Sequence, residues 1–302
     1  MKSSCLFVLC FGWCTLALAR AEEPARFHLD LNRPAPKAGD ETERTFRFVS
    51  NASITNLTQD RETVTNTLQF SELKCHEKIL NWDVSNNLSK VEMVVDRFVG
   101  GDGHRTNELA KPGTQLVGTS IAGETFFESK DGILPNEASR QLGKLYDIRP
   151  RDFDEFARTE LPQTVSMGES WVIPPPTNSE ELAAVFGPAF TNNVKATARL
   201  VGTTNLFGFN CFHLQFRITS NEFPENLRKI ITSRLPMTIK GQVSLMVDLI
   251  VPFDESQRVL MKSYLLDFSD SAEMVVDGKN VMSSRGRNTI KIISEFRPIT
   301  RR

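Results

Sequence analysis

Several residues of this chain are of types used in catalysis, and their spacing decides whether they can act together. Ser71 and Lys74 match the Ser-x-x-Lys spacing of a nucleophile and its base. They lie in a strand-like run, where side chains three positions apart point to opposite faces. The chain has 4 histidines, and none has metal-ligand spacing to another. We therefore expect no enzyme activity, no metal site and no cofactor.

Other chemical motifs have simpler structural interpretations. Asp152, Asp154 and Glu155 could pair as carboxylates, but acidic residues at this spacing favour the solvated first turn of a helix. Residues 118–123 miss the nucleophile-elbow spacing by one residue and fall in a predicted strand and turn. His213 alternates with apolar neighbours and is expected on the wetter face of its sheet. None of these residues predicts a catalytic site.

Length and composition are those of a globular protein. The chain has 302 residues, of which 40% are hydrophobic and 24% charged, and its formal net charge is -1. A charge so close to zero argues against a nucleic-acid-binding protein, which normally has a basic excess. The 21 phenylalanines greatly outnumber the 2 tyrosines and 3 tryptophans. Because phenylalanine has no polar group to satisfy, this bias favours dry packing.

The first segment has the parts of a secretory signal peptide over residues 1–21. Lys2 gives the positive start, residues 5–19 form a short apolar run, and residues 19–21 read Ala-Arg-Ala. We expect cleavage after Ala21 and export, with the protein periplasmic or extracellular. No later stretch is apolar for the roughly 20 residues that a membrane-spanning helix needs. A soluble chain without a transmembrane segment is therefore expected after cleavage.

Two cysteines, Cys75 and Cys211, remain after removal of the signal peptide. They could form a disulfide, because exported proteins fold in an oxidising compartment. Each also lies in a run of alternating apolar residues, which is typical of a buried free thiol. The sequence leaves both alternatives open.

The rest of the chain is predicted to be mainly β. Apolar and polar residues alternate with a period of two, as in strands with one buried face. The predicted strands cover residues 45–55, 63–84, 90–99, 115–128, 194–201, 212–219, 239–251, 264–268, 272–276 and 289–296. Short turns between them favour an antiparallel meander. We predict a long-stranded, antiparallel, curved sheet or half-barrels, with a few helices on the open side.

Irregularities in this pattern predict local features. The apolar register slips within residues 63–84, which indicates bulges that let a long strand curve. Gly241 occupies an apolar position of its strand, where a bend or bulge is expected. A proline-rich, hinge-like stretch ends at Pro176. We divide the chain there into a β-rich part over residues 22–176 and an antiparallel β part over residues 177–302. One continuous sheet through both parts is the alternative.

Four segments are predicted to be helical, beginning near Pro135 and at residues 151, 177 and 224. On the first, one face carries Ala138, Leu142, Leu145 and Tyr146. On the last, a stripe of four apolar residues forms our candidate ligand contacts: Leu227, Ile230, Ile231 and Leu235. We expect this last helix to lie across the open side of the sheet, with its stripe toward the concave surface.

Three short motifs lie at residues 165–171 (Val-Ser-Met-Gly-Glu-Ser-Trp), 196–202 (Ala-Thr-Ala-Arg-Leu-Val-Gly) and 208–212 (Gly-Phe-Asn-Cys-Phe). With these motifs the chain resembles a group of uncharacterised exported β-rich bacterial proteins, over roughly residues 115–297. The curved sheet of that group, with helices across its open side, is similar to the outer-membrane lipoprotein carrier. The resemblance implies a protein of that architecture and assigns no functional residue.

Two functions agree with these features. The first is a non-enzymatic exported envelope protein that binds an apolar ligand, such as an acyl chain or lipid, within a curved sheet. The alternative is a structural or protein-interaction module of the cell envelope, with a filled core and no ligand. An incompletely filled concave face favours the first function, and a solidly packed one favours the second.

Overall fold

A computed structural model of the protein describes residues 25–31, 33–58, 61–83, 85–121, 124–146, 162, 164–173, 194–221, 237–276 and 279–299. These residues form fourteen strands and one helix, α1, which covers Asn136–Leu145. The strands are β1 (Arg26–His28), β2 (Glu41–Thr58), β3 (Arg61–Asp83), β4 (Leu88–Gly101), β5 (Thr106–Ala110), β6 (Gln115–Ile121), β7 (Glu124–Ser129), β8 (Thr164–Ser166), β9 (Ser170–Ile173), β10 (Val194–Leu206), β11 (Phe209–Ser220), β12 (Met237–Pro252), β13 (Met261–Val276) and β14 (Lys279–Pro298).

Twelve strands form one antiparallel sheet in the order β7-β6-β4-β3-β2-β14-β13-β12-β11-β10-β9, with β5 paired to β4. β7 and β9 are its edges, so the sheet is curved but not closed. The remaining strands, β1 and β8, form a two-stranded ribbon. At the centre of the sheet, β2 pairs with β14, which joins the two halves of the chain. This architecture confirms the predicted mainly β, long-stranded, antiparallel fold.

The strand register divides the sheet into two chemically different faces, because directly paired residues point to the same face. One row of paired residues crosses β11, β12, β13, β14 and β2 and consists of Phe216, Val247, Tyr264, Ile292 and Phe48. We call the face that carries this row the covered face, because α1 and the ribbon both pack on it. The opposite face, which carries most of the cross-strand ion pairs, is the charged face. These two faces produce the period of two in the sequence.

α1 packs on the covered face, and its nearest strands are β2, β5 and β7. Its buried residues are the predicted ones, Ala138, Leu142 and Leu145, together with Tyr146 directly after the helix. They pack against a group of buried strand residues that we call, with them, the first cluster: Phe46, Leu73, Cys75, Ile79, Val91, Met93, Val95, Phe98, Leu109 and Leu116. The helix thereby seals one half of the covered face.

The β1–β8 ribbon packs on the other half of the covered face. The ribbon contributes Val165 to the second cluster, and the segment that follows β1 contributes Leu29 and Leu31. The other buried residues of this cluster are Ile173, Ala196, Ala198, Leu200, Phe212, Leu214, Phe216, Ile218, Val243, Val247 and Val251. Beyond the ribbon, the Arg33 guanidinium donates hydrogen bonds to the carbonyl oxygens of Pro252 (2.9 Å) and Asp254 (2.8 Å). These bonds hold the N-terminal segment along one end of the sheet.

Bulges occur where the register slip predicts them and do not occur at Gly241. The register of β3 against β4 shifts between Lys74 and Cys75 and again between Ile79 and Asn81. Gly241 pairs directly with Asp270 in an unbroken register between β12 and β13. The bulge expected at Gly241 is therefore absent from the pairing of β12 with β13.

The predicted turn over residues 269–271 is also wrong. β13 runs through these residues without interruption, and β14 begins well before residue 289, where a strand start is expected. Serine and aspartate are typical of turns, but here they pair across the middle of a sheet. For example, Ser271 lies between Lys240 on β12 and Arg285 on β14.

Strands from both sides of the predicted boundary at residue 176 belong to one sheet. β9, which precedes the boundary, pairs with β10, which follows it. The alternative of one continuous sheet describes this arrangement. The predicted helices that begin at residues 151, 177 and 224 lie outside the described residues.

Candidate functional site

The covered face carries a band of half-buried apolar side chains between the two clusters, which we call the central strip. Its six members are Tyr264, Leu266 and Phe268 on β13, Ile290 and Ile292 on β14, and Phe48 on β2. The register places Ile292 between Tyr264 and Phe48, and Ile290 beside Leu266. Phe48 packs against the first cluster, and the three β13 residues pack against the second. The strip therefore connects the two clusters without being sealed into either.

A carboxyl group lies at one end of the central strip. Asp270 follows Leu266 and Phe268 on the covered face of β13, and its two cross-strand neighbours are both glycine, Gly241 and Gly286. A Cβ atom on Gly286 would collide with Oδ1 of Asp270, so the carboxyl group leans over the bare backbone of β14. Burial raises the pKa of Asp270 above its usual value. Within the described parts of the chain, no group forms a hydrogen bond or ion pair with this carboxyl group.

Sequence reasoning missed Asp270 because it lies in a Ser-Asp-Ser triplet that is typical of a turn. The signal that identifies Asp270 is the position of the apolar residues along β13, which alternate with polar ones. Even-numbered positions are apolar on both sides of the triplet: Tyr264, Leu266, Phe268, Ala272 and Met274. A pattern that continues in phase across a polar triplet indicates an unbroken strand, which places Asp270 on the apolar face.

A second polar group on the covered face is paired inside the first cluster. The Arg44 guanidinium is 2.5 Å from the Glu77 carboxylate, and the two side chains are only 10% and 4% exposed. Arg44 also donates a hydrogen bond of 3.0 Å to the Tyr146 hydroxyl and lies over the rings of Phe46, Tyr146 and Phe296. Because Tyr146 follows α1, this group ties the end of the helix to β2 and β3.

The structure does not bring the two candidate disulfide residues together. Cys75 is in the first cluster on the covered face, whereas Cys211 lies on the opposite face with Ile250 and Leu260. Four strands, β2, β14, β13 and β12, separate β3 from β11 in the sheet. Both thiols are free and buried. Burial raises the pKa of each thiol, which disfavours the reactive thiolate.

The charged face holds polar residues in cross-strand pairs. His213 lies there as predicted, and its Nε2 atom is 2.9 Å from Oδ1 of Asp248. Sequence spacing does not reveal this acidic partner, because the register of β11 against β12 creates the contact. Ser71 is buried on the covered face and Lys74 is exposed. The prediction that the Ser71 and Lys74 side chains point to opposite faces of the strand is therefore confirmed.

The predicted ligand contacts Leu227, Ile230, Ile231 and Leu235 lie outside the described residues, as do the signal peptide and the three acidic residues at 152–155. Over the part of the chain that the structure describes, no group of three or more His, Cys, Asp or Glu side chains could hold a metal ion. In the same residues, no helix has the length and apolar character needed to cross a membrane.

Comparisons with known proteins give weak similarities. No family model and no curated protein matches the chain. A DUF1329 family protein from Desulfovibrio piger is 14% identical, with 83% of this chain and 85% of that chain covered and a TM-score of 0.19. Two Pseudomonas aeruginosa proteins are each 8% identical. OccK7 (OpdD) has 87% of this chain and 100% of its own covered, with a TM-score of 0.23. The outer membrane protein OprG has 89% and 100% covered, with a TM-score of 0.16. Scores this low carry no argument about fold or function.

Proposed function

We propose that this protein is a non-enzymatic exported envelope protein that binds an apolar ligand, such as an acyl chain, on the covered face of its curved sheet. The central strip is the observation that carries the proposal. Its side chains, such as Leu266 and Ile290, are half-buried between two covering elements instead of being sealed in a core. The signal-peptide pattern of residues 1–21 supports export.

The dimensions and chemistry of the central strip suit an alkyl chain. From Tyr264 to Phe268 the strand advances about 13 Å, and β13, β14 and β2 together add about 10 Å of width. Each buried CH2 group contributes roughly 0.8 kcal/mol, so a chain that buries about ten of them gains about 8 kcal/mol before the cost of immobilisation. An immobilisation cost of about 4 kcal/mol, the low end of its range, leaves about 4 kcal/mol, which corresponds to a Kd of about 1 mM.

Uptake of an apolar fluorescent probe, such as 1-anilinonaphthalene-8-sulfonate, tests this proposal. Two variants make the same substitution on opposite faces of β14: Ile290→Asp on the central strip and Ile293→Asp on the charged face. A carboxylate on the central strip should abolish uptake, because a buried unpaired charge is unfavourable beside an alkyl chain. The same carboxylate at Ile293 pairs in register with Arg47 and should leave uptake within about twofold of wild type.

Folding of both variants is checked by circular dichroism and thermal unfolding before uptake is compared. If Ile290→Asp unfolds, Ile290→Asn replaces it as a neutral polar variant. Native mass spectrometry of the wild-type protein, purified from its own envelope, then identifies any lipid that copurifies. A wild-type protein that takes up no probe and carries no lipid contradicts the proposal.

The interaction-module alternative is favoured by one feature of β3. Residues 61–69 pair with β2 on one side, and no described strand pairs with their other side. This edge has neither proline nor charge from Thr63 to Ser71, and Val64 is 57% exposed. Such an edge is suited to pairing with another strand, for example from a second copy of the chain.

Introducing a lysine on this edge tests the interaction-module alternative independently of ligand binding. Thr65→Lys should block pairing with a second copy, since charged side chains on an edge oppose strand addition. Analytical ultracentrifugation should then show self-association in the wild type and a monomer in the variant, if the alternative holds. A wild type that is monomeric across the concentration range contradicts self-pairing through this edge.

A further inference from the structure

Asp270 is the one charged side chain in its part of the covered face, as far as the described residues extend. The paired residues beside it on β12 and β14 are Gly241 and Gly286, and the next covered-face positions along β13 are Phe268 and Ala272. A carboxyl group in such surroundings is unfavourable for folding unless a partner compensates it. The structure provides no partner within the described residues. A function outside folding would explain why an ionisable group occupies this position.

The two glycines leave no side chain on β12 or β14 directly beside the Asp270 carboxyl group. A side chain at either position would stand directly beside Asp270 on the same face. At Gly286 even a methyl group would displace Oδ1. Among the described residues, the carboxyl group therefore lies in a gap between side chains that we call the trough, one residue wide, whose floor is the backbone of β12 and β14. The paired positions 241 and 286 contribute no side chain that a small polar group of a ligand would have to displace from this trough.

The position of the trough relates it to the central strip. Phe268 and Asp270 are successive residues on the covered face, about 7 Å apart along β13. An alkyl chain on Leu266 and Phe268 would therefore place its polar end at Asp270. Burial raises the pKa of the Asp270 carboxyl group, and a cation beside it would favour its charged form. A cationic group is the complement of a carboxylate, with charge-assisted hydrogen bonds to both oxygens.

We propose that Asp270 binds the primary ammonium headgroup of an amphiphile whose alkyl chain lies on the central strip. The proposal rests on the proposed function and adds the chemical class of the ligand to it. The ammonium group donates hydrogen bonds to the carboxylate oxygens in the trough between Gly241 and Gly286. Phe268 and Leu266 contact the first part of the alkyl chain.

Three probes with the same alkyl chain and different headgroups test the assignment. Dodecylamine, dodecanol and dodecanoate compete against the fluorescent probe at pH 7, each below its critical micelle concentration. The wild-type protein should prefer dodecylamine over dodecanol by about tenfold, and dodecanoate should bind more weakly than dodecanol. Hydrogen bonds to charged groups commonly provide an effect of this size.

Two substitutions on β13 separate the role of Asp270 from a general charge effect. Asp270→Asn keeps the shape of the side chain and should remove the preference for dodecylamine while retaining dodecanol binding. Glu273→Gln removes an exposed acid from the same strand and should retain the wild-type preference. Gly286→Ala moves the carboxyl group without changing its charge, and should weaken dodecylamine binding more than dodecanol binding.

The outcomes distinguish this assignment from the proposed function. If the wild type binds dodecanol without preferring dodecylamine, the headgroup assignment is overturned and the proposed function stands. A preference that survives in Asp270→Asn also overturns the assignment. If none of the three probes binds to the wild type, the proposed function itself fails, and the headgroup assignment fails with it.

Discussion

Among single residues, Asp270 gives the stability of the protein a specific pH dependence. Its pKa is raised by burial in the folded state, and its described covered-face neighbours on β12 and β14 are uncharged. A raised carboxyl pKa contributes stability that is present below the unfolded pKa and lost as pH rises through the folded pKa. Asp270→Asn should therefore be more stable than wild type at pH 7. The difference should shrink as the pH falls to about 4.

Urea unfolding at the two pH values measures this effect, with Glu273→Gln as the control. Glu273 is exposed on the charged face of β13, so its substitution should change stability little at either pH. A less stable Asp270→Asn at pH 7 would mean that the carboxylate has a stabilising partner in the folded protein. That result would also weaken the assignment of Asp270 to a ligand.

Arg44 and Glu77 illustrate the opposite case, a buried charge whose partner is within the protein. Glu77→Gln removes the carboxylate and leaves the Arg44 guanidinium buried among aromatic rings. We expect this variant to lose about 3 to 5 kcal/mol of unfolding free energy. The double variant Arg44→Met with Glu77→Leu should lose less, because it leaves no unpaired charge. Chemical denaturation checks both, and equal losses would contradict the importance of the pair.

At the scale of elements, α1 offers two neighbouring positions, one buried and one exposed, at which substitution to alanine should have opposite effects on stability. Leu142 is fully buried against the sheet, whereas Gly143 is exposed and an added Cβ there meets no atom within 4 Å. Leu142→Ala should destabilise the protein by about 2 to 5 kcal/mol. Gly143→Ala should stabilise it by about 1 kcal/mol through helix propensity. Thermal unfolding measures both, and a destabilised Gly143→Ala would mean that this helix face is covered.

Elements whose apolar residues follow an unbroken helical or strand period could be predicted from the sequence. α1 has all its apolar residues on one face, and β12 alternates over its whole length, so each could be placed from local residues alone. β13 and β14 were predicted too short, because polar triplets within them match the composition of turns. Such residues lie in strands here since neighbouring strands supply their backbone partners, which a local pattern does not contain.

The candidate site was predicted only in outline. A curved sheet with an apolar face follows from the period of two. The central strip does not follow from this period, because the exposure of its side chains depends on where α1 and the ribbon stop covering the sheet. Asp270 and the two glycines beside it come from three separate strands. Their contact depends on strand register, which the sequence of each strand does not specify.

At the scale of the whole molecule, the central strands couple two separate clusters. β2 and β14 pair continuously from Met282 to Pro298, and β13 continues this pairing toward the second cluster. The clusters themselves share none of their buried residues. Cooperative unfolding of the two clusters therefore depends on backbone pairing between the central strands and on the side chains of the central strip.

Two tryptophans allow this coupling to be measured. Trp82 packs against the first cluster and Trp171 against the second, and they are the only tryptophans after residue 21. In the chain from Glu22, Trp82→Phe and Trp171→Phe each leave one reporter. If the continuous sheet unfolds as a unit, fluorescence should give the same urea midpoint in both variants, and circular dichroism should agree with it. Both midpoints are compared with the wild-type midpoint from circular dichroism, which corrects for the effect of each substitution. Two separate midpoints would show that the halves unfold independently, in which case the partly exposed central strip is the boundary where the sheet divides.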